Sequence, residues 1–183
     1  MILQPTSGGI TIMGSPAVLL ATTFDVESRR DGDSIVQIAS YVDRALIERL
    51  HKYPDDLRHI DRRKFEELVA ELFVGFGYEV ELTQRTRDGG KDIIAVRRAE
   101  VDTRFLIECK RPDPGNPVRI SAVRELLGVR EDDGASKAIL ATTSYFTPDA
   151  LVFFERHKWV LEPRDFDALQ TWIGKYLAAR ARQ

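Results

Sequence analysis

Two acids and a lysine carry the most chemistry in this sequence. Asp92 ends the run Asp88-Gly89-Gly90-Lys91-Asp92, and Glu108-Cys109-Lys110 closes an apolar stretch that begins at Phe105. In a β-strand, side chains two apart share a face, so Leu106, Glu108 and Lys110 point one way and Phe105, Ile107 and Cys109 the other. The run Phe105-Leu106-Ile107 marks this strand as central, so an acid and a base at its end lose part of their water and need partners. Asp92 supplies a third group if its strand is the antiparallel neighbour. Two carboxylates at one sheet end, with room left for water, suit Mg²⁺, which prefers six oxygens and keeps part of its hydration shell. A phosphodiester fits such a site, because the cation polarises a phosphoryl oxygen and acidifies a bound water. Lys110 then either orients that water or neutralises charge building on the phosphate. Its acidic neighbours favour the protonated amine, whereas burial and a bound cation favour the neutral one. Taken singly, Glu-x-Lys on a strand is more often a surface ion pair, and Asp-Gly-Gly is more often a turn. Their order along the chain is what points to a site.

Positioning these groups takes a sheet, and the hydrophobic pattern predicts one. Phe65, Leu68, Val69, Leu72, Phe73 and Phe76 form one face of a helix from Asp61 to about Phe76, which stops at Gly77. The period then changes to that of strands: Tyr78 to Leu82, Asp92 to Val96 and Arg104 to Cys109 read as a meander. Pro117 to Val129 reads as a helix and Lys137 to Thr142 as a buried strand. Thr147-Pro148-Asp149 opens another helix, Trp159 to Leu161 a last short strand, and Phe166 to Leu177 the closing helix. Upstream, Ile35, Ile38, Ala39, Val42, Ala45, Leu46 and Leu50 recur at helical spacing, with Asp33 or Ser34 as cap, and the first 24 residues suggest a hairpin or arm. Because the helix after Pro117 separates two strands that pair only by crossing over, the expected fold is α/β with a central mixed β-sheet flanked by helices. The expected division is residues 1–33 as an N-terminal arm or hairpin, 34–60 as a helix and linker, and 61–183 as the domain bearing the acids.

The chain has 183 residues, 43% hydrophobic and 31% charged, which is the composition of one globular unit rather than a disordered or collagen-like chain. Net charge is −2, from 27 Lys+Arg against 29 Asp+Glu, so a nucleic-acid partner would be held by a local basic surface. One cysteine, Cys109, leaves no internal disulfide and no cysteine-rich zinc site. No apolar run approaches the roughly 20 residues of a membrane span, so a soluble, cytoplasmic protein without membrane attachment is expected.

In the order and kind of these motifs, the chain resembles the PD-(D/E)XK nuclease superfamily, and most closely its Mrr-like restriction endonuclease branch. The landmarks run from Asp61 to Trp172: Phe65-Glu66-Glu67-Leu68-Val69, Gly77-Tyr78-Glu79-Val80, Asp88-Gly89-Gly90-Lys91-Asp92, Glu108-Cys109-Lys110, and Thr142-Thr143-Ser144 followed by Phe146-Thr147. The superfamily's proline before the first acid is replaced by Lys91, and the Gly-Gly form fits the Mrr-like branch. The resemblance implies a restriction-endonuclease-like core and a Mg²⁺-dependent DNA endonuclease of host defence or DNA processing, with Mn²⁺ able to take the place of Mg²⁺. It makes Asp92, Glu108 and the Cys109 backbone carbonyl metal ligands, Lys110 the catalytic lysine and Glu66 a supporting helix acid. The alternatives are a catalytically silent module of the same fold that binds DNA or protein, and a nuclease acting on RNA.

The helical wheel separately favours Glu66 over Glu67, since at about 100° per residue Glu66 falls beside Phe73 on the edge of the apolar face and Glu67 points away. The plain alternative is a surface acid paired with Arg62 or Arg63. Arg111, Arg119, Arg124 and Arg130 follow the Glu-x-Lys strand, and Arg85, Arg87 and Lys91 flank the glycine turn; these cations are placed to grip DNA phosphates. A solvated charged face is the bland reading of the same residues. Thr142, Thr143 and Ser144 either meet phosphate or satisfy a turn. Cutting both strands requires two sites, so a homodimer is expected. Mrr-like enzymes typically carry a separate target-recognition domain, and residues before the matching segment read as an arm and one helix, so a recruiting protein or subunit is expected as well.

Overall fold

The computed structural model describes residues 36–37, 42–83 and 91–182. Six strands lie in chain order across one sheet: β1 (Val36–Gln37), β2 (Glu79–Leu82), β3 (Ile93–Arg97), β4 (Thr103–Lys110), β5 (Lys137–Thr142) and β6 (Leu161–Arg164). The first four pair antiparallel, and β4, β5 and β6 pair parallel. The sheet is therefore mixed, as the interleaved helices require. The helices are α1 (Arg44–Lys52), α2 (Arg62–Gly75), α3 (Ile120–Asp133), α4 (Pro148–Arg156) and α5 (Phe166–Arg180), with a 3-10 turn over Pro54–Arg58.

Strand alternation divides the core in two. Ile93, Ala95, Ile107, Cys109, Ile139 and Ala141 pack under α1, α2 and α5, together with Phe65, Leu68, Leu72 and Ile173. Ile94, Leu106, Ala138 and Leu140 face the other way, against Val123 and Leu126 of α3 and Ala150 and Phe154 of α4. Both parallel crossovers, through α3 and through α4, thus run over one face. Leu106 and Ile107, neighbours in sequence, are each fully buried in a different core half, which makes β4 the two-sided central strand expected of its apolar run.

Local signals account for most boundaries. Asp61 caps α2 by accepting from the backbone N–H of Arg63 at 2.8 Å and of Lys64 at 3.2 Å. α3 starts later than expected, because residues before it pair with the segment after β5: Val118 N–H donates to Tyr145 O at 2.8 Å and Thr147 N–H to Val118 O at 3.0 Å. It ends at Gly134, whose φ of 68° is the left-handed conformation that glycine tolerates at a helix C-terminus.

Two expected elements are corrected. The helical pattern from Ser34 does not make one long helix. Val36–Gln37 is a strand on the edge of the sheet, opposite Leu82 and Glu81, and α1 begins only at Arg44. Asp43 is the effective cap, its carboxylate accepting from the Ala45 N–H at 3.1 Å, and β pairing claims Val36 and Gln37. The last strand is Leu161–Arg164 rather than Trp159 to Leu161; Trp159 lies in the preceding turn, 84% exposed. Pro163 disguised this strand in the sequence, although proline is tolerated on the sheet edge that β6 forms. The N-terminal hairpin lies outside the described residues. Among the described residues, no helix is long and apolar enough to cross a membrane.

Candidate active site

The chemistry-bearing residues meet at one end of β3 and β4. Ile93 pairs with Ile107 in the antiparallel register, and Asp92 N–H donates to Ile107 O at 3.0 Å, which carries the register to Asp92 opposite Glu108. The Asp92 carboxylate accepts a hydrogen bond from the Cys109 backbone N–H at 2.7 Å through Oδ2. This bond anchors the carboxylate across the strand pair and leaves Oδ1 available.

Glu108 is 2% exposed. Its Oε1 is ion-paired with Lys110 Nζ, as the shared strand face requires, and its Oε2 is buried without a hydrogen-bond partner. Burial raises the Glu108 pKa above the usual carboxylate range; the Lys110 ammonium opposes that rise, and the charges of Asp92 and Glu125 add to it. Glu66 arrives from the first turns of α2, also buried, at 1% exposure. It meets Arg63 at 3.0 Å and Arg62 at 3.4 Å. Its pKa is raised by burial first and by the charge of Asp92 second. The Cys109 thiol, fully buried between the acids, is pushed well up by burial and then by the charges of Asp92, Glu66 and Glu108. Three carboxylates from α2, β3 and β4 therefore share one electrostatic neighbourhood, and an unpartnered Glu108 oxygen lies within it. Glu67, one residue from Glu66, is half-buried and pairs with Lys64 at 2.6 Å.

The donor set around this point is two carboxylates on adjacent strands and a main-chain carbonyl between Glu108 and Lys110. That is an all-oxygen set with open positions, which suits a hard cation such as Mg²⁺. Among the described residues, no group of three or more His, Cys, Asp or Glu side chains is gathered as a complete metal cluster. A cation here would draw the rest of its shell from water and substrate.

The basic residues distribute unevenly. Arg111 directly follows Lys110; its Nη1 donates to Arg58 O at 3.5 Å, and its Nε is buried without a partner. Arg119 is exposed at the start of α3, and Arg124 is exposed one turn further on, its guanidinium 5.7 Å from the Phe153 ring centroid. Lys91 is not a free cation, since its Nζ meets Asp133 at 2.7 Å. Arg130 lies at the far end of α3 and donates to Ser136 O at 3.3 Å. Arg85, Arg87 and Asp88, with the Gly-Gly turn, lie outside the described residues. Thr142, Thr143 and Ser144 are buried. Ser144 N–H donates to Thr142 Oγ1 at 3.2 Å and Ser144 Oγ to Asn116 O at 2.8 Å, so the Thr142 hydroxyl serves the turn and the Ser144 hydroxyl ties it to the segment before α3.

Two neighbours of the site were not singled out from sequence. Glu125 reaches Glu108 electrostatically across the β4–α3 crossover, a proximity set by the crossover and carried by no local motif. Arg58 lies with its guanidinium 3.9 Å from the Phe166 ring centroid and donates to Thr143 O at 3.4 Å. It ties the 3-10 turn to the end of β5, beside the site.

The structure is thus an α/β protein whose mixed sheet carries two acids and a lysine at the end of its central strands. Residues 57–173 match the family model described as Restriction endonuclease, Mrr_cat. The chain belongs to that family. It is 32% identical over 136 residues to the uncharacterized protein y4cE of Sinorhizobium fredii, covering 71% of this chain and 34% of the relative. The chain thus spans about a third of that relative's length. Among solved structures, the DNA modification-dependent restriction endonuclease AspBHI superposes with a TM-score of 0.52 at 19% identity, covering 76% of this chain and 40% of that one. This likeness confirms the restriction-endonuclease-like core.

Proposed function

We propose that this chain is a metal-dependent endonuclease that hydrolyses DNA phosphodiester bonds, acting in restriction or another form of DNA processing. The observation that carries the reading is the pairing of Asp92, clamped by the Cys109 N–H at 2.7 Å, with a buried Glu108 whose Oε2 has no partner. A buried carboxylate oxygen without a donor is costly, and a cation at that point would satisfy it. Asp92, Glu108 and the Cys109 carbonyl would hold Mg²⁺, or Mn²⁺ in its place. When bound, the cation would polarise a phosphoryl oxygen and acidify a coordinated water.

The chain's own groups do the rest. Glu108 Oε1 holds the Lys110 ammonium at the strand end, where it faces the attacking water or the charge growing on phosphorus. Glu66, braced by Arg62 and Arg63, adds negative field behind Asp92 and favours occupation by a cation. Arg111, Arg119 and Arg124 would neutralise phosphates flanking the scissile one.

Plasmid cleavage tests this reading. Purified protein with Mg²⁺ or Mn²⁺ should nick or linearise plasmid DNA and do nothing in EDTA, and Asp92→Ala should be inert in both. Cleavage of an RNA substrate but not DNA would move the activity to RNA. Equal cleavage by wild type and Asp92→Ala would refute the assignment.

A further inference from the structure

The α2–α5 side of the sheet carries a concave feature away from these acids. There a pocket of about 310 Å³ opens beside Arg97 and Phe105, at the end of β3 and β4 remote from Asp92 and Glu108. This volume falls at the lower end of the range for small-molecule sites. The walls are aromatic. Phe73 meets Trp172 edge-on at 5.2 Å between centroids and Tyr78 at 5.1 Å, and Tyr78 meets Phe105 at 5.6 Å. The rim is cationic. The Arg97 guanidinium lies 5.8 Å from the Tyr78 centroid, the Arg164 guanidinium 4.8 Å from that of Trp172, and Lys175 is an exposed lining residue.

Glu162, the acid among the lining residues, is paired with Lys137 at 2.6 Å and with Arg164, so the positive charge left at the opening comes from Arg97 and Lys175. The Arg164 Nε is buried with no partner. This chemistry selects its occupant. A purely apolar ligand would strip water from the guanidinium groups without replacing it, and a small inorganic anion would leave the aromatic walls wet. A planar ring carrying a negative group satisfies both sets of residues.

We propose that this pocket binds a nucleoside monophosphate, with the base packed against Trp172 and the phosphate held at the mouth by Arg97 and Lys175. The site shares no residue with the Asp92–Glu108–Lys110 cluster, so the inference stands apart from the nuclease reading, and its test does not use cleavage.

The chain contains two tryptophans, and Trp159 is 84% exposed, so Trp159→Phe leaves Trp172 as the sole indole reporter at little structural cost. Deoxyadenosine monophosphate is titrated into the full chain in EDTA, with indole emission excited beyond adenine absorption. Saturable quenching is expected, with uncharged deoxyadenosine at least about tenfold weaker because it forfeits the charge-assisted hydrogen bonds to Arg97 and Lys175, and inorganic phosphate at least about tenfold weaker because it forfeits the ring packing. Arg97→Ala and Lys175→Ala, both at exposed positions, should each weaken binding by about tenfold at unchanged melting temperature, and Arg97→Lys should restore part of the loss. Absence of saturation, an equal response to deoxyadenosine or phosphate, or unchanged affinity in both alanine variants would overturn the proposal.

Discussion

Asp92 and Cys109 are joined across two strands: the aspartate's Oδ2 accepts the backbone N–H of Cys109 at 2.7 Å. A side chain on one strand thereby fixes the main chain of the next at the residue between Glu108 and Lys110. The acid that would bind metal also sets the geometry of the segment that would supply the other donors. Asp92→Asn keeps the shape and, with its amide oxygen toward Cys109, the hydrogen bond, but removes the charge. It should leave the fold and melting temperature nearly unchanged while reducing metal-dependent cleavage by about 10²-fold or more. Thermal melts read alongside cleavage rates separate the two effects.

Lys110 is held by Glu108 Oε1 at the end of β4. If its role is in the chemical step, Lys110→Ala should lower kcat by about 10²–10⁴-fold with little change in KM, whereas Arg119→Ala, at an exposed position, should mainly raise KM. Steady-state kinetics on a short duplex distinguish them. A Lys110→Ala variant that loses affinity but not turnover would make the lysine a phosphate contact only.

The two buried acids give the metal-free protein a defined pH dependence. Glu66 and Glu108 both have folded pKa values raised above the ordinary carboxylate range, chiefly by burial. In the window between the unfolded value and the raised one, the folded state holds more protons than the unfolded state. Stability in EDTA should therefore fall as pH rises through that window. Glu108→Gln should flatten this slope, and Mg²⁺ should raise the melting temperature of wild type but not of the variant. Differential scanning calorimetry across mildly acidic to neutral pH checks both.

Gly75 closes α2 against the ring of Tyr176, where an added Cβ would collide with the buried ring. Tyr176 in turn donates to Glu71 Oε1 at 2.7 Å. Gly75→Ala should destabilise the fold by about 1–3 kcal/mol through overpacking, and Tyr176→Phe by about 1 kcal/mol through the lost bond. Urea denaturation measures both. A neutral Gly75→Ala would mean that α5 shifts freely on α2.

Much of this was legible in the sequence because the relevant signals are local. Alternation along Phe105 to Lys110 placed Glu108 and Lys110 on one face, the helical wheel separated buried Glu66 from Glu67, and β4 is central because its apolar run is unbroken. The misreadings came where a long-range partner overrode a local pattern. Val36–Gln37 sits in a helical periodicity, but pairing with Leu82 and Glu81 draws it into the sheet. Lys91, beside the glycine turn, has a partner that no local spacing encodes, Asp133 at the end of α3 at 2.7 Å, and its expected phosphate contact is left to experiment. Glu125 and Arg58 reach the site only through the crossover and the 3-10 turn, and no spacing in the sequence encodes that approach.

The central claim concerns where a divalent ion binds. Crystals grown with Mn²⁺ and measured at its absorption edge should show an anomalous peak within about 2.2 Å of carboxylate oxygens of both Asp92 and Glu108, with the Cys109 carbonyl as a third protein ligand. A peak elsewhere on the chain, or an empty position between these carboxylates in crystals of protein that cleaves DNA with Mn²⁺, would contradict the account.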